Sequence, residues 1–194
     1  MGPVRALEWH FDYPARYEVL ALERIDRSGG KRAFSYPAGT PIDPQQELAH
    51  RPILEIRPAD GDPWIGVFYG GQYRHPPAAR GRLLGWPDEM SLCVVWAGGA
   101  DVVRSDDPRA TYEIDAIHPI TDVLTIPDHR LVVFADFTNA AAYGADGHMW
   151  TSPRLALDEL ALVGAEGEIL HASGFNGGRS DDPISVSLRP GQPI

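Results

Sequence analysis

Residues 136–150 read DFTNAAAYGADGHMW, and this stretch decides the fold class. Two short apolar runs, 140–143 and 148–152, stand on either side of Gly144 and Gly147. Glycine adopts positive φ at the corners of a tight turn without steric cost, so the pattern predicts a β-hairpin. Apolar residues around it are expected to hold the hairpin against a second sheet; they are Phe134, Phe137, Tyr143, Met149 and Trp150. We therefore interpret the stretch as a structural hairpin rather than as a site.

Residues that break helices are frequent throughout the chain. Its 194 residues include 20 glycines and 18 prolines, which leave little room for long helices and favour short strands joined by turns. Hydrophobic residues make up 43% and charged residues 23%, which is ordinary globular usage and argues against disorder. The composition therefore predicts a folded, β-rich protein.

Several segments outside the hairpin also have strand patterns. The segment 130–137, RLVVFADF, is a continuous apolar run, and 91–103, SLCVVWAGGADVV, has apolar runs on both sides of a glycine turn. Near the end of the chain, Ile184, Val186 and Leu188 alternate with polar residues and are expected to point inward. About twelve strands are expected, which is too many for one open sheet. We predict an all-β fold in a single domain, 1–194: a two-sheet sandwich or a barrel-like meander with short helical turns.

A short internal echo suggests two related halves. The pentapeptide RSDDP occurs at 104–108 and again at 179–183, and glycine-turn hairpins recur in both parts of the chain. One interpretation is a pair of related halves, 60–108 and 130–183. The other is that β-meanders reuse the same turn chemistry, and this is the one we favour.

Charge and cysteine content limit the classes of partner. The net charge is -10, from 27 acidic and 17 basic residues, so the chain repels phosphate backbones and nucleic acid is not an expected partner. The one cysteine, Cys93, lies in an apolar run and is expected to be a packing residue. No window is apolar enough for a membrane span and no signal-peptide pattern is present, so a cytoplasmic location is expected.

Local motifs for catalysis or metal binding are not found. None of the seven histidines has the spacing of HExxH, and nucleophile-elbow, P-loop and dinucleotide fingerprints are missing. The pairs Asp106–Asp107 and Asp181–Asp182 suit calcium if two turns meet, but Asp before Pro is ordinary turn chemistry. We therefore predict no catalytic residue, no metal site and no cofactor.

Aromatic residues and one charged pair are the candidate binding residues. Trp86 lies in the turn sequence GWPD and is expected to be the most exposed tryptophan. Tyr143 and Trp150 belong to the hairpin. Arg154 is expected to pair with Asp136 across the hairpin, either as a ligand clamp or to fix strand register. Trp64 and Trp96 lie in apolar runs, and both are expected to be buried in the core.

The last third of the chain resembles a group of uncharacterised bacterial β-rich proteins. The resemblance rests on 136–155, with its Trp-Thr-Ser-Pro-Arg run, and on the terminal strand SVSLRPG at 185–191. Where such proteins have Trp-Asp-Gly-Leu after the arginine, this chain has Leu157-Asp-Glu-Leu160. The resemblance implies a bacterial, β-rich, cytoplasmic protein and no particular activity.

Three functions remain open from the sequence. The first is a binding module without catalysis that recognises another protein, which the β pattern, the acidic charge and the lack of local catalytic motifs favour. The second is a small-molecule binder or metal-dependent enzyme with a pocket in the mouth of the sandwich. The third is a carbohydrate-binding module that uses Trp86 or Trp150.

Overall fold

The computed structural model describes residues 7–25, 30–42, 51–73, 81–178, 181–189 and 193. The described residues form two compact units, which divide between Ile114 and Asp115. The described residues of 60–108 belong to the first unit and those of 130–183 to the second. The expected single domain and the expected related halves both stay predictions.

Strands dominate both units, and the all-β prediction is confirmed. The first unit contains the strands β1 (Leu7–His10), β2 (Tyr17–Ala21), β3 (Arg32–Tyr36), β4 (Ile53–Pro58), β5 (Trp64–Phe68), β6 (Gly81–Gly85), β7 (Ser91–Trp96), β8 (Gly99–Arg104) and β9 (Thr111–Glu113). The second contains β10 (Asp122–Ile126), β11 (Leu131–Ala135), β12 (Ala140–Gly144), β13 (Gly147–Thr151), β14 (Asp158–Glu166), β15 (Ile169–Phe175) and β16 (Asp182–Ser187). In the described part of the chain, the one helical element is the 3₁₀ turn Pro127–His129. No described helix has the length and apolarity needed to cross a membrane.

The first unit is a sandwich of two open sheets. One sheet has the order β1-β6-β7-β8-β9 and the other β2-β4-β5-β3. Alternate side chains of both sheets meet in one core, which includes Trp64, Phe68, Leu83, Leu92 and Val103. The strands β2 and β3, although consecutive in the sequence, are the two edges of their sheet, because β4 and β5 insert between them.

The second unit is a smaller sandwich built from two antiparallel meanders. One sheet has the order β10-β11-β12-β13, and the other has β14-β15-β16. Their facing sides share a core that contains Val133, Ala142, Trp150, Leu170 and Val186. Each of the four sheets has two edge strands, so both units take the layered alternative rather than a closed sheet.

The hairpin quoted at the start is present as β12 and β13, but not every apolar residue has the expected role. A β-bulge between Ala142 and Tyr143 leaves Met149 as the extra residue of β13, and Met149 is 60% exposed. Phe134 and Tyr143 are buried against each other on the sheet face opposite Trp150. Only Trp150 of this set joins the core between the sheets.

The segment 154–164 is only partly strand. Only 158–166 forms a strand, β14, and Leu155 packs into the core from the preceding loop. Glu159 has a φ of 56°, and the register of β14 against β15 shifts between Asp158 and Ala161. The backbone irregularity at Glu159 therefore lies at the start of β14.

Candidate functional site

A cleft opens on one side of the second sandwich. On the opposite side the two sheets are joined, because a carboxylate oxygen of Asp122 in β10 accepts a hydrogen bond of 2.9 Å from the backbone N–H of Leu162 in β14. The sheet orders then place the edge strands β13 and β16 on the side of the cleft, where Trp150 and Leu188 connect the two sheets. The cleft has a volume of about 370 Å3. Its walls are His129, Leu131, Met149, Trp150, Leu188 and Arg189.

Trp150 forms the inner part of this cleft. The alternation of β13 turns its ring toward the core, and it is 9% exposed. The indole Nε1–H donates a hydrogen bond to the backbone carbonyl of Leu188, just after β16. This hydrogen bond connects Trp150, in the edge strand β13 of one sheet, to the other sheet. Trp150 therefore fills the core and also exposes one edge of its ring to the cleft.

Met149 and the 3₁₀ turn supply the outer walls. The β-bulge turns the Met149 side chain outward beside Trp150, where a flexible thioether can adapt to a bound group. His129 ends the 3₁₀ turn, and Leu131 begins β11 after the left-handed residue Arg130. The turn geometry thus brings an imidazole to a cleft whose other walls are mainly apolar.

The charged side chain in the cleft lining is Arg189. The lining also includes His129 but no carboxylate. The Nε of Arg189 lies 3.0 Å from a carboxylate oxygen of Glu168, and both side chains are largely exposed, 82% and 53%. Residues 115–194 contain eleven acidic residues and four arginines, so a cleft without an acidic wall stands out in this part of the chain.

Trp86, one of the predicted binding residues, is buried, and the expectation that it is exposed is wrong. It is 1% exposed rather than the most exposed tryptophan, because it continues directly from β6 and its ring packs edge-on against Tyr112. Trp64 is buried as expected, whereas Trp96 is only partly buried. The turn sequence GWPD therefore marks the end of a strand and not an exposed ring.

Tyr143 is placed away from the cleft, on the other face of its sheet. Its hydroxyl accepts a hydrogen bond of 3.4 Å from the backbone N–H of Ala116, and its ring contacts His148. Burial raises the pKa of this hydroxyl above its ordinary value. Of the five predicted binding residues, the structure brings only Trp150 to the cleft.

The expected pair between Arg154 and Asp136 does not form. Asp136 accepts hydrogen bonds from the backbone N–H groups of Thr138 and Asn139, as an Asx turn between β11 and β12. Arg154 donates to the backbone carbonyls of Ala156 and Leu157, both at 2.9 Å. Each side chain therefore satisfies its own loop, and neither is available as a clamp.

Two exposed aromatic residues in the first unit were missed by the sequence interpretation. Trp9 in β1 is 44% exposed, and its ring centroid lies 6.0 Å from that of Phe11. Phe11 in turn contacts Tyr17. The run Trp-His-Phe alternates like an edge strand, and that signal could have identified the pair.

Cys93 and the groups that could ligate a metal are the remaining candidates for chemistry among the described residues. Cys93 is fully buried, and burial raises the pKa of its thiol well above the ordinary value, which disfavours the reactive thiolate. In the described ranges, no group of three or more His, Cys, Asp or Glu side chains could hold a metal ion.

Comparison of the sequence with protein-family models and with curated proteins found no match.

Proposed function

We propose that this chain is a bacterial, cytoplasmic binding module that recognises another protein without catalysing a reaction. The observation that carries the proposal is the cleft beside Trp150, with its exposed Met149 and its apolar floor. Tryptophan, tyrosine and arginine side chains in well-packed, desolvated pockets account for much of the binding energy in protein interfaces. A cleft of about 370 Å3 has room for one anchoring side chain of a partner.

The rigidity of the cleft supports this function. Trp150 is held by the core and by its hydrogen bond to Leu188, so its ring does not have to be ordered when a partner binds. Met149 adds an adaptable wall at the rim. A fixed floor with a flexible rim lowers the entropic cost of binding and still accepts a side chain of irregular shape.

Substitution of Met149 tests the proposal. Met149→Ser removes an exposed side chain, so the fold should be unchanged while the rim of the cleft is lost. The matched control is Val163→Ser, because Val163 is also exposed in the second unit and does not line the cleft. We expect affinity capture from the source organism to retain a partner with wild type and Val163→Ser, and to lose it with Met149→Ser. No partner, together with turnover of a substrate in an unbiased screen, would refute the proposal.

A small-molecule binder or metal-dependent enzyme is the second proposal, and the cleft volume supports it. Ligand pockets measure about 300–1,000 Å3, and this cleft is at the lower end of that range. Elemental analysis of protein purified without chelators separates the two proposals. A stoichiometric transition metal would favour the second one.

A carbohydrate-binding module needs an exposed aromatic platform. Trp86 and Trp150 are buried and do not provide one, whereas Trp9 and Phe11 do. Tryptophan fluorescence across a glycan panel tests this proposal. A response that disappears in Trp9→Ala would support it, and no response to any glycan would remove it.

A further inference from the structure

We propose that the cleft beside Trp150 recognises a peptide segment of its partner in which an apolar side chain stands next to a carboxylate. This inference rests on the proposed function and adds the chemistry of the partner. The apolar side chain enters between Met149 and Trp150, and the carboxylate meets Arg189 at the rim. The inference is carried by the placement of these groups around one opening.

The charge at the cleft favours an acidic partner segment. Arg189 and His129 are the polar side chains of the lining, and both can donate hydrogen bonds to a carboxylate. The carboxylate nearest to Arg189, that of Glu168, is not in the lining and is already paired with Arg189, so a basic partner segment would have to compete with Arg189 for it. The acidic character of the rest of 115–194 then restricts an acidic segment to this place, because it repels that segment elsewhere.

The ion pair between Arg189 and Glu168 is exposed, so a carboxylate of the partner can replace Glu168 beside Arg189. Glu168 is not itself in the lining, and both side chains are more than half exposed. Exposed ion pairs are weak, so a carboxylate held in place by an anchored side chain can displace Glu168. Glu168 is therefore an internal competitor of the partner for the same guanidinium group.

The apolar requirement follows from the shape of the cleft. Leu131, Leu188, Met149 and Trp150 are four of its six walls. A charged side chain placed among them would lose its hydration without an opposite charge at the floor, which is costly. The anchor is therefore apolar, and the carboxylate stays at the rim beside it.

A selection from displayed random short peptides on the full chain tests the inference. We expect enrichment of sequences with an apolar residue adjacent to Asp or Glu, and loss of that enrichment on Met149→Ser but not on Val163→Ser. Enrichment that depends on Met149 but has no acidic residue would overturn this inference and leave the proposed function standing. Selection of no peptide that depends on Met149 would count against both.

Charge variants give the second readout, with one labelled peptide from the selection as the probe in fluorescence polarisation. We expect Arg189→Gln to weaken binding about two- to fivefold, the size of an exposed ion pair, and Glu168→Gln to strengthen it. The matched control is Arg109→Gln, an exposed arginine of the first unit that does not line the cleft. Equal affinities of wild type, Arg189→Gln and Glu168→Gln would overturn the inference, whatever the peptide sequence.

Discussion

Trp150 shows how one residue supports both core and cleft. Its ring fills the space between the sheets of the second unit, and its indole N–H satisfies the carbonyl of Leu188. Replacement by a small residue leaves a cavity and an acceptor without its donor, and both effects lower the free energy of unfolding.

We expect Trp150→Ala to lower the free energy of unfolding by about 3 kcal/mol or more. Trp9→Ala is the comparison, because the Trp9 ring is 44% exposed and its loss should cost much less. Urea denaturation monitored by circular dichroism measures both variants. A cost below about 1 kcal/mol for Trp150→Ala would contradict its assignment to the core.

Asp101 is a buried carboxyl group within a strand. It lies in β8 opposite Val94 on one neighbouring strand and Glu113 on the other, and it is almost fully buried. Burial, and then the carboxylate of Glu113, raise the pKa of Asp101 to about 7. The folded state thus binds this proton more tightly than the unfolded state, in which an aspartate has a pKa of about 3.9.

The pKa of Asp101 predicts that wild type loses stability as the pH rises from about 4 through about 7. The contribution is fully present below the unfolded pKa, and its slope is at most about 1.4 kcal/mol per pH unit. Asp101→Asn should remove this slope and be more stable than wild type above about pH 7. Urea denaturation across this range is the measurement, with the exposed Asp62→Asn as control. If Asp101→Asn kept the wild-type dependence of unfolding free energy on pH, Asp101 would not be the cause of that dependence.

At the scale of elements, close backbone packing fixes the β7–β8 hairpin. The backbone N–H of Gly71 donates to the carbonyl of Trp96 at 3.0 Å, and a Cβ on Gly71 would lie 2.5 Å from the carbonyl oxygen of Ala97. Both neighbours are backbone, so the strain cannot be relieved by a rotamer change. Glycine is required at position 71 because there is no space for a Cβ atom, and not because the backbone has a positive φ.

We expect Gly71→Ala to cost about 1–3 kcal/mol, because the hairpin and the segment after β5 must move apart. Gly164→Ala is the control: a Cβ there meets nothing within 4 Å, so the change should be within about 0.5 kcal/mol. Thermal unfolding of both variants decides the point. Equal unfolding midpoints for Gly71→Ala and Gly164→Ala would show that the backbone around Gly71 moves apart at little cost.

Strand positions were well predicted, and strand neighbours were not. The hairpins β7–β8 and β12–β13 were identified because apolar runs flank a glycine turn, which is local information. The pairing of β3 with β5, parallel and distant in sequence, has no local signal. The bulge at Met149 was missed for the same reason, since it depends on how β13 registers against β12.

At the scale of the whole molecule, lowering the pH toward the pI weakens the charge repulsion between molecules but increases the stability that the buried Asp101 contributes. The net charge of -10 keeps molecules apart at neutral pH, and the sequence pI is about 5.0. We expect light scattering to show a solubility minimum near pH 5, while the protonation of Asp101 increases stability there. Unfolding in place of native-state association near that pH would contradict this expectation.

The sequence by itself determined the class of the protein: frequent glycine and proline, with short apolar runs, exclude long helices and require layered sheets. It also identified Trp150 as a residue that holds the hairpin against a second sheet. Only the tertiary structure decided that Trp86 is internal, that Arg154 and Asp136 serve separate loops, and that Met149 and Arg189 meet at one cleft. The physical reason is that composition and alternation are local properties, whereas a cleft forms where edges of different sheets meet.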